Sequence, residues 1–203
     1  MKTITLAMTG ASGAPYSIRL LEQLLAAGIH VQFLCSQPGQ VVFAMESDLK
    51  LSSSPRKMQQ QLCEYFDCPA EQIDAYGRDQ WTAPVASGSS VADAMVVCPC
   101  SMGTLASIAH GISNNLIHRA ADVVLKERKT LILVPRETPF STLHLENMLK
   151  LSQQGVIILP PNPGFYLGVK DVQDLVDFIV CRILDQLGIV NNLSPRWAEH
   201  TED

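Results

Sequence analysis

Apolar residues in this chain fall into two patterns. Short continuous runs occur at 4–8 (ITLAM), 30–35 (HVQFLC), 94–98 (AMVVC), 130–134 (TLILV) and 156–159 (VIIL). Runs this short and rich in β formers predict strands buried on both faces. Between them, apolar residues recur every third or fourth position. Ile18, Leu21 and Leu25, widened by Leu20 and Leu24, predict a first helix, and Gly28 sits where a helix-ending glycine belongs. Further helices are predicted at 40–45, 58–66, 105–109, 115–127, 143–154 and 172–187, the last with Val172, Leu175, Val176, Ile179, Ile183 and Leu187 inward.

Five strands alternating with helices predict an α/β protein with an open parallel sheet covered by helices on both faces, Rossmann-like or flavodoxin-like. At 203 residues the chain is expected to be a single domain, with a core over about 1–190 and a tail over 191–203. The tail carries Pro195-Arg196-Trp197, an aromatic expected to pack on a neighbouring subunit. Residues 51–80 carry a likeness to a helix and a polar turn but no strand pattern, and read as a surface excursion. Pro99 is expected to end the strand at 94–98.

In such a sheet the strand-to-helix turns open on one edge, where ligands bind. The first turn, Thr9-Gly10-Ala11-Ser12-Gly13, aims backbone N–H groups and a helix dipole at one spot and reads as a phosphate site. Its glycines lie three apart, so it is neither a dinucleotide fingerprint nor a P-loop, and an ordinary tight turn is the alternative. Ser36, at the end of the second strand, serves a ligand or caps the next helix. The run 84–90 (PVASGSS) reads as a plain linker or as a hydroxyl-lined ligand loop. Ser101 reads as the cap of a second helix start. Arg136 and Glu137, fenced by Pro135 and Pro139, suit a phosphate and acid–base work. Arg119, Asp122 and Lys126 share one helix face, which spacing alone reads as solvated. Arg182 has Asp185 as its ordinary partner.

Composition narrows the function. A net charge of −5 gives no reason to expect nucleic acid or an anionic membrane as partner, and no apolar run approaches the roughly 20 residues of a membrane span. Met1-Lys2 running into the first strand leaves no room for a signal peptide, so a cytoplasmic protein is expected. The six cysteines read as reduced. Cys98-Pro99-Cys100 is too short for a zinc spacing, and no metal site is expected.

Taken together, T-G-A-S-G-A-x-Y, P-x-A-S-G-S-S, C-P-C-S-M-G-T-L, N-N-L-I-x-R-A-A-D-V-x-L-K-E-R, L-V-P-R-E-T-P and P-x-P-G-F-Y, in this order from about residue 4 to 197, resemble the UbiX/Pad1 family of flavin prenyltransferases. Older descriptions call its members 3-octaprenyl-4-hydroxybenzoate carboxy-lyases. The resemblance implies transfer of the dimethylallyl group of dimethylallyl monophosphate to N5 and C6 of reduced FMN, without a metal. The prenylated FMN serves UbiD-type decarboxylases in ubiquinone synthesis or aromatic acid decarboxylation. It also implies a homododecamer built from trimers.

Residue by residue, the resemblance implies that FMN is bound by Gly10, Ala11 and Ser12 of the first turn and by Ser36. Ser101, Met102, Gly103, Thr104 and Arg136 complete that set. Tyr166 and Arg182 would hold the dimethylallyl phosphate, with Arg119 and Lys126 as further cations and Ser87 and Trp197 beside it. Ser12, Glu46 and Glu137 would line the reaction chamber and, with Arg119 and Lys126, serve catalysis. Two other functions fit a flavin fold: an FMN-dependent decarboxylase of the homo-oligomeric cysteine decarboxylase group, or a non-enzymatic FMN carrier. The decarboxylase group carries a P-A-S-A-N-T loop and an early His, whereas this chain reads PVASGSS at 84–90 and has no His before His30. A carrier has no use for a phosphate cage.

Overall fold

The computed structural model describes residues 2–165 and 168–196. Six parallel strands form one sheet in the order β3-β2-β1-β4-β5-β6. They are β1 (Thr3–Met8), β2 (His30–Cys35), β3 (Ile73–Tyr76), β4 (Ala94–Cys100), β5 (Thr130–Pro135) and β6 (Ile157–Ile158). The central strands are buried along almost their whole length, as their continuous apolar runs require.

Helices cover both faces. On one lie α1 (Ala14–Ala26), α2 (Gln37–Glu46), α3 (Pro55–Phe66) and α7 (Val172–Gln186), around a core that includes Leu6, Phe33, Val96, Leu20, Phe43, Leu62 and Ile183. On the other lie α4 (Met102–Ala109), α5 (Leu116–Lys126) and α6 (Thr142–Gln153), around Leu34, Val97, Leu133, Leu105, Ala120 and Leu151. Alternation of side chains along each strand feeds the two cores separately. Gly28 closes α1 at φ +67°, with its N–H on the Leu25 carbonyl at 2.9 Å. Among the described residues no helix is long and apolar enough to cross a membrane.

Four expectations are corrected. The stretch at 51–80 is not merely an excursion, because Ile73–Tyr76 joins the sheet beside β2. This strand is only four residues long and carries Asp74, which sits at the sheet edge 3.1 Å from His30 Nε2. The five expected strands stand in the order β2-β1-β4-β5-β6, and β3 extends that sheet by one edge. Pro99 does not end β4. The strand runs on to Cys100 through a cis Cys98–Pro99 peptide, and the Pro99 carbonyl accepts from the Thr9 N–H and hydroxyl at 3.2 and 2.8 Å. Val172 is 72% exposed rather than inward, because it opens α7 just after the Asp171 cap, before the helix reaches the sheet. The buried stripe runs instead through Val176, Ile179, Val180, Ile183 and Leu184. The 84–90 segment is neither straight linker nor open loop but two tight turns, Pro84–Ala86 and Gly88–Ser90.

Candidate functional site

Topology fixes where ligands go. The crossover after β1 lies on one face and the one after β4 on the other, so a crevice opens between the carboxyl ends of these neighbouring strands. Thr9 stitches its floor. Its hydroxyl donates to the Pro99 carbonyl and accepts from the Ser101 N–H at 2.7 Å, and the residue is 1% exposed.

Two clefts flank the Gly10–Gly13 turn. The first, about 420 Å³, lies between Gly10, Ser36, Pro38, Ser101, Gly103 and Thr104, and extends past Tyr76, Arg78, Asn115 and His118. Two helix N-termini face it. Ser36 caps α2, its Oγ accepting from Gly39 N–H at 3.0 Å. Ser101 caps α4, its Oγ accepting from Thr104 N–H at 3.3 Å and donating to Thr104 Oγ1 at 3.1 Å. Both alternatives for Ser36 therefore hold at once: it caps a helix and lines the cleft. A Cβ on Gly103 would meet nothing, leaving the start of α4 open to a ligand. A Cβ on Gly10 would collide with the Pro38 ring, so only glycine lets the first turn lie against α2. Met102 and Ala11 are buried, and neither is among the residues that line this cleft.

The second cleft, about 390 Å³, is lined by Ser12, Tyr16, Arg136, Glu137, Phe140 and Asn162. Arg136 Nε donates to the Ser12 carbonyl at 3.2 Å, tying the end of β5 to the first turn. The start of α1 itself is already occupied by an anion. Glu46, from the end of α2, accepts from both Gly13 and Ala14 N–H at 2.8 Å. A side-chain carboxylate therefore takes the Gly13 and Ala14 N–H groups at the start of α1. Burial raises the Glu46 pKa, but hydrogen bonds from Ser12, Gly13 and Ala14 and the charge of Arg136 outweigh it and hold the carboxyl below its ordinary value.

The expected phosphate-binding cations are not gathered within one protomer. Arg119 stands on α5, its Nε donating to the Ala86 carbonyl at 3.1 Å and its Nη1 to Asp122 at 2.7 Å. Lys126 pairs with Glu127 against the Gly88 turn, and Ser87 bonds Ser89 beside them. Arg182 stands on α7, across the sheet from α5, and pairs with Asp185 at 2.7 Å. Tyr166 and Trp197 lie outside the described residues.

Sequence reasoning missed Pro38, Tyr76, Arg78 and His118 as parts of the first cleft. Tyr76 ends the unrecognised β3 and Arg78 follows it, and His118 follows the Asn114-Asn115 pair, whose N-cap chemistry was a readable signal. Burial, then the charge of Arg78, lowers the His118 pKa, so the imidazole lines the cleft neutral. The fit to a flavin mononucleotide is good in kind. Two open helix starts and three hydroxyls suit one phosphate, and a cleft of a few hundred Å³ suits a small cofactor.

Known proteins agree with this geometry. The model of the family described as Flavoprotein matches residues 1–184. The flavin prenyltransferase UbiX of Pseudomonas aeruginosa is 57% identical over 196 residues, covering 97% of this chain and 94% of the relative. A structure of AnUbiX (PadA1) in complex with FMN and dimethylallyl pyrophosphate superposes with a TM-score of 0.85 at 38% identity, covering 97% of each chain. A dodecameric FMN-dependent UbiX-like decarboxylase from Escherichia coli O157:H7 gives 0.84 at 37% identity, covering 96% of this chain and 98% of that one. The chain therefore belongs to the flavoprotein family, within its UbiX flavin prenyltransferase branch.

Proposed function

We propose that this protein joins the dimethylallyl group of dimethylallyl monophosphate to N5 and C6 of reduced FMN, and that its product serves a UbiD-type decarboxylase. The observation that carries the reading is the pairing of clefts at one sheet edge, one built for a phosphate and one holding an acid beside an arginine. Ser36, Ser101, Gly103 and Thr104 hold the FMN phosphate at the starts of α2 and α4. Gly10 contributes backbone there, and the family resemblance adds Ala11 and Met102. Arg136 and Ser12 orient the flavin at the mouth of the second cleft. Bound in this way, reduced flavin supplies nucleophilic ring atoms.

The rest of the chemistry belongs to the chain. An allylic C–O bond that ionises leaves a phosphate anion and a delocalised cation. Arg119, Lys126, Tyr166 and Arg182 balance the anion with charge-assisted hydrogen bonds, which makes a metal unnecessary. Trp197 offers a π face to the cation, and Ser87 lies beside the Arg119–Lys126 group. Glu137 accepts the proton released on ring closure, and Glu46, held anionic beside Ser12, keeps that chamber negative. Because α5 and α7 lie on opposite faces of the sheet, the phosphate cage closes between subunits of a homo-oligomer, a dodecamer as in the Escherichia coli relative. The tail, anchored to its own α7 through Asn191 and Arg196, meets a neighbour in that assembly. The enzyme works in the cytoplasm.

The test is direct. The purified protein is incubated with reduced FMN and dimethylallyl monophosphate, and the bound flavin is weighed by mass spectrometry. A prenyl-sized gain is expected. Flavin of unchanged mass, with FMN bound, overturns the reading in favour of a carrier. A parallel incubation with the diphosphate, the ligand of the AnUbiX structure, tells whether the cage tolerates a second phosphate.

A further inference from the structure

We infer that Asp185 is a positioning residue for the prenyl phosphate: it fixes the Arg182 guanidinium and anchors the C-terminal segment beside it through Arg196. The inference rests on the reading that Arg182 grips that phosphate.

An arginine and an aspartate three apart on a helix surface are usually worth little, because both side chains stay solvated and free to turn. Asp185 differs in three respects. Its side chain is only 17% exposed, against 49% for Arg182. It takes donors from two separate segments. Oδ2 accepts from Arg182 Nη1 at 2.7 Å and from Arg196 Nη1 at 2.6 Å, and Oδ1 accepts from Asn191 Nδ2 at 3.3 Å. One carboxylate also serves two guanidinium groups, where a pair serving only the fold needs one arginine.

The geometry says which edge receives the anion. Asp185 engages Arg182 through Nη1 alone, and among the described residues Arg182 makes no other hydrogen bond. Its Nε and Nη2 are left as a planar two-donor edge, the arrangement that grips a phosphate bidentately. Holding Nη1 restricts the guanidinium plane, so less rotamer freedom is lost when the phosphate arrives. Arg196 is the residue before Trp197, so the same carboxylate sets where the tail departs from α7. Hydrogen bonding from Arg196, opposed by burial and reinforced by Arg182 and Asn191, holds the Asp185 carboxyl below its ordinary value, so it is anionic at neutral pH.

The test is steady-state kinetics of the assembled, FMN-loaded enzyme with dimethylallyl monophosphate varied. Asp185→Asn is expected to raise KM about tenfold while kcat changes little, the loss expected from one charge-assisted hydrogen bond. Asp185→Glu, which keeps the charge, is expected to recover most of that loss. Bound flavin absorbance and the melting temperature separate this from misfolding. The Arg182→Ala single variant and the Arg182→Ala/Asp185→Asn double variant complete a cycle. If Asp185 acts through Arg182, the double variant is no worse than Arg182→Ala alone. Additive losses, or an unchanged KM in Asp185→Asn while Arg182→Ala raises it, overturn the inference and leave the phosphate reading standing. An unchanged KM in Arg182→Ala overturns the phosphate reading itself. Should Asp185→Asn fail to hold flavin, Asp185→Glu decides: a KM still at the parent value with Arg196→Gln also at the parent value counts against positioning.

Discussion

Glu46 closes the start of α1, its carboxylate accepting from Gly13 and Ala14 N–H at 2.8 Å each. A helix start is the usual seat for a phosphate, and here the chain supplies its own anion from a different helix. The consequence is a division of labour along the sheet edge. The starts of α2 and α4 line the first cleft, and the start of α1 becomes the wall of the second.

Removing that carboxylate should therefore weaken the fold as a lost helix cap does. Glu46→Ala is expected to lower stability by about 1–2 kcal/mol and the melting temperature by several degrees. Calorimetry of the purified variant checks this, and an unchanged melting temperature counts against the cap.

The same contact sets an acid limb. The folded carboxyl titrates below its ordinary value of 4.5, so the unfolded chain binds the proton more readily. Its contribution is complete above that value and is lost as pH falls through the lowered folded one. Glu46→Gln should flatten the fall in melting temperature on acidification below about pH 5, measured by thermal scans at stepped pH. Parallel curves for the two proteins would show that other carboxylates govern the limb.

Thr9 offers a test of the crevice floor. It is buried, donates to Pro99 and receives the Ser101 N–H. Thr9→Val keeps the shape and the backbone N–H on the Pro99 carbonyl but leaves the Ser101 N–H without its acceptor. A loss of about 1–3 kcal/mol is expected, with weaker FMN retention because Ser101 caps the helix that faces the phosphate. Denaturant unfolding and flavin titration read the two effects separately.

Much of this was legible because the signals are local. Continuous apolar runs gave β1, β2, β4 and β5 nearly to the residue, and Ser36 and Ser101 announced helix starts by type alone. What sequence could not supply is long-range. β3 is a short alternating IDAY that is a strand only because β2 offers its edge. The seat of Glu46 on α1 depends on the angle at which α2 returns, which no spacing encodes. The family resemblance assigns Arg119 and Arg182 to one phosphate, yet they stand on opposite faces of the sheet.

Gly10 tests the packing of the first turn against α2. Its glycine is required by contact, since a Cβ would strike the Pro38 ring. Gly10→Ala should cost about 1–3 kcal/mol by overpacking and push the start of α2 away from the first cleft. Flavin released on gel filtration, beside a lowered melting temperature, is the expected outcome. Retained flavin with only the melting temperature lowered would show that α2 shifts without disturbing the phosphate seat.

The separation of Arg119 from Arg182 leads to the sharpest prediction about assembly. Arg119→Ala and Arg182→Ala should each abolish most prenyl transfer, because each removes a cation from the departing phosphate. If the cage closes between subunits, a mixed oligomer contains some interfaces where an intact Arg119 of one protomer meets an intact Arg182 of another. Co-expressing the two variants under separate affinity tags, then isolating particles that carry both, should restore a clear fraction of the activity. Particles of either variant alone keep only a small residual activity. If doubly tagged particles are as inactive as the single variants, both cations act from the same protomer, and α5 and α7 would have to reach one phosphate around the edge of their own sheet.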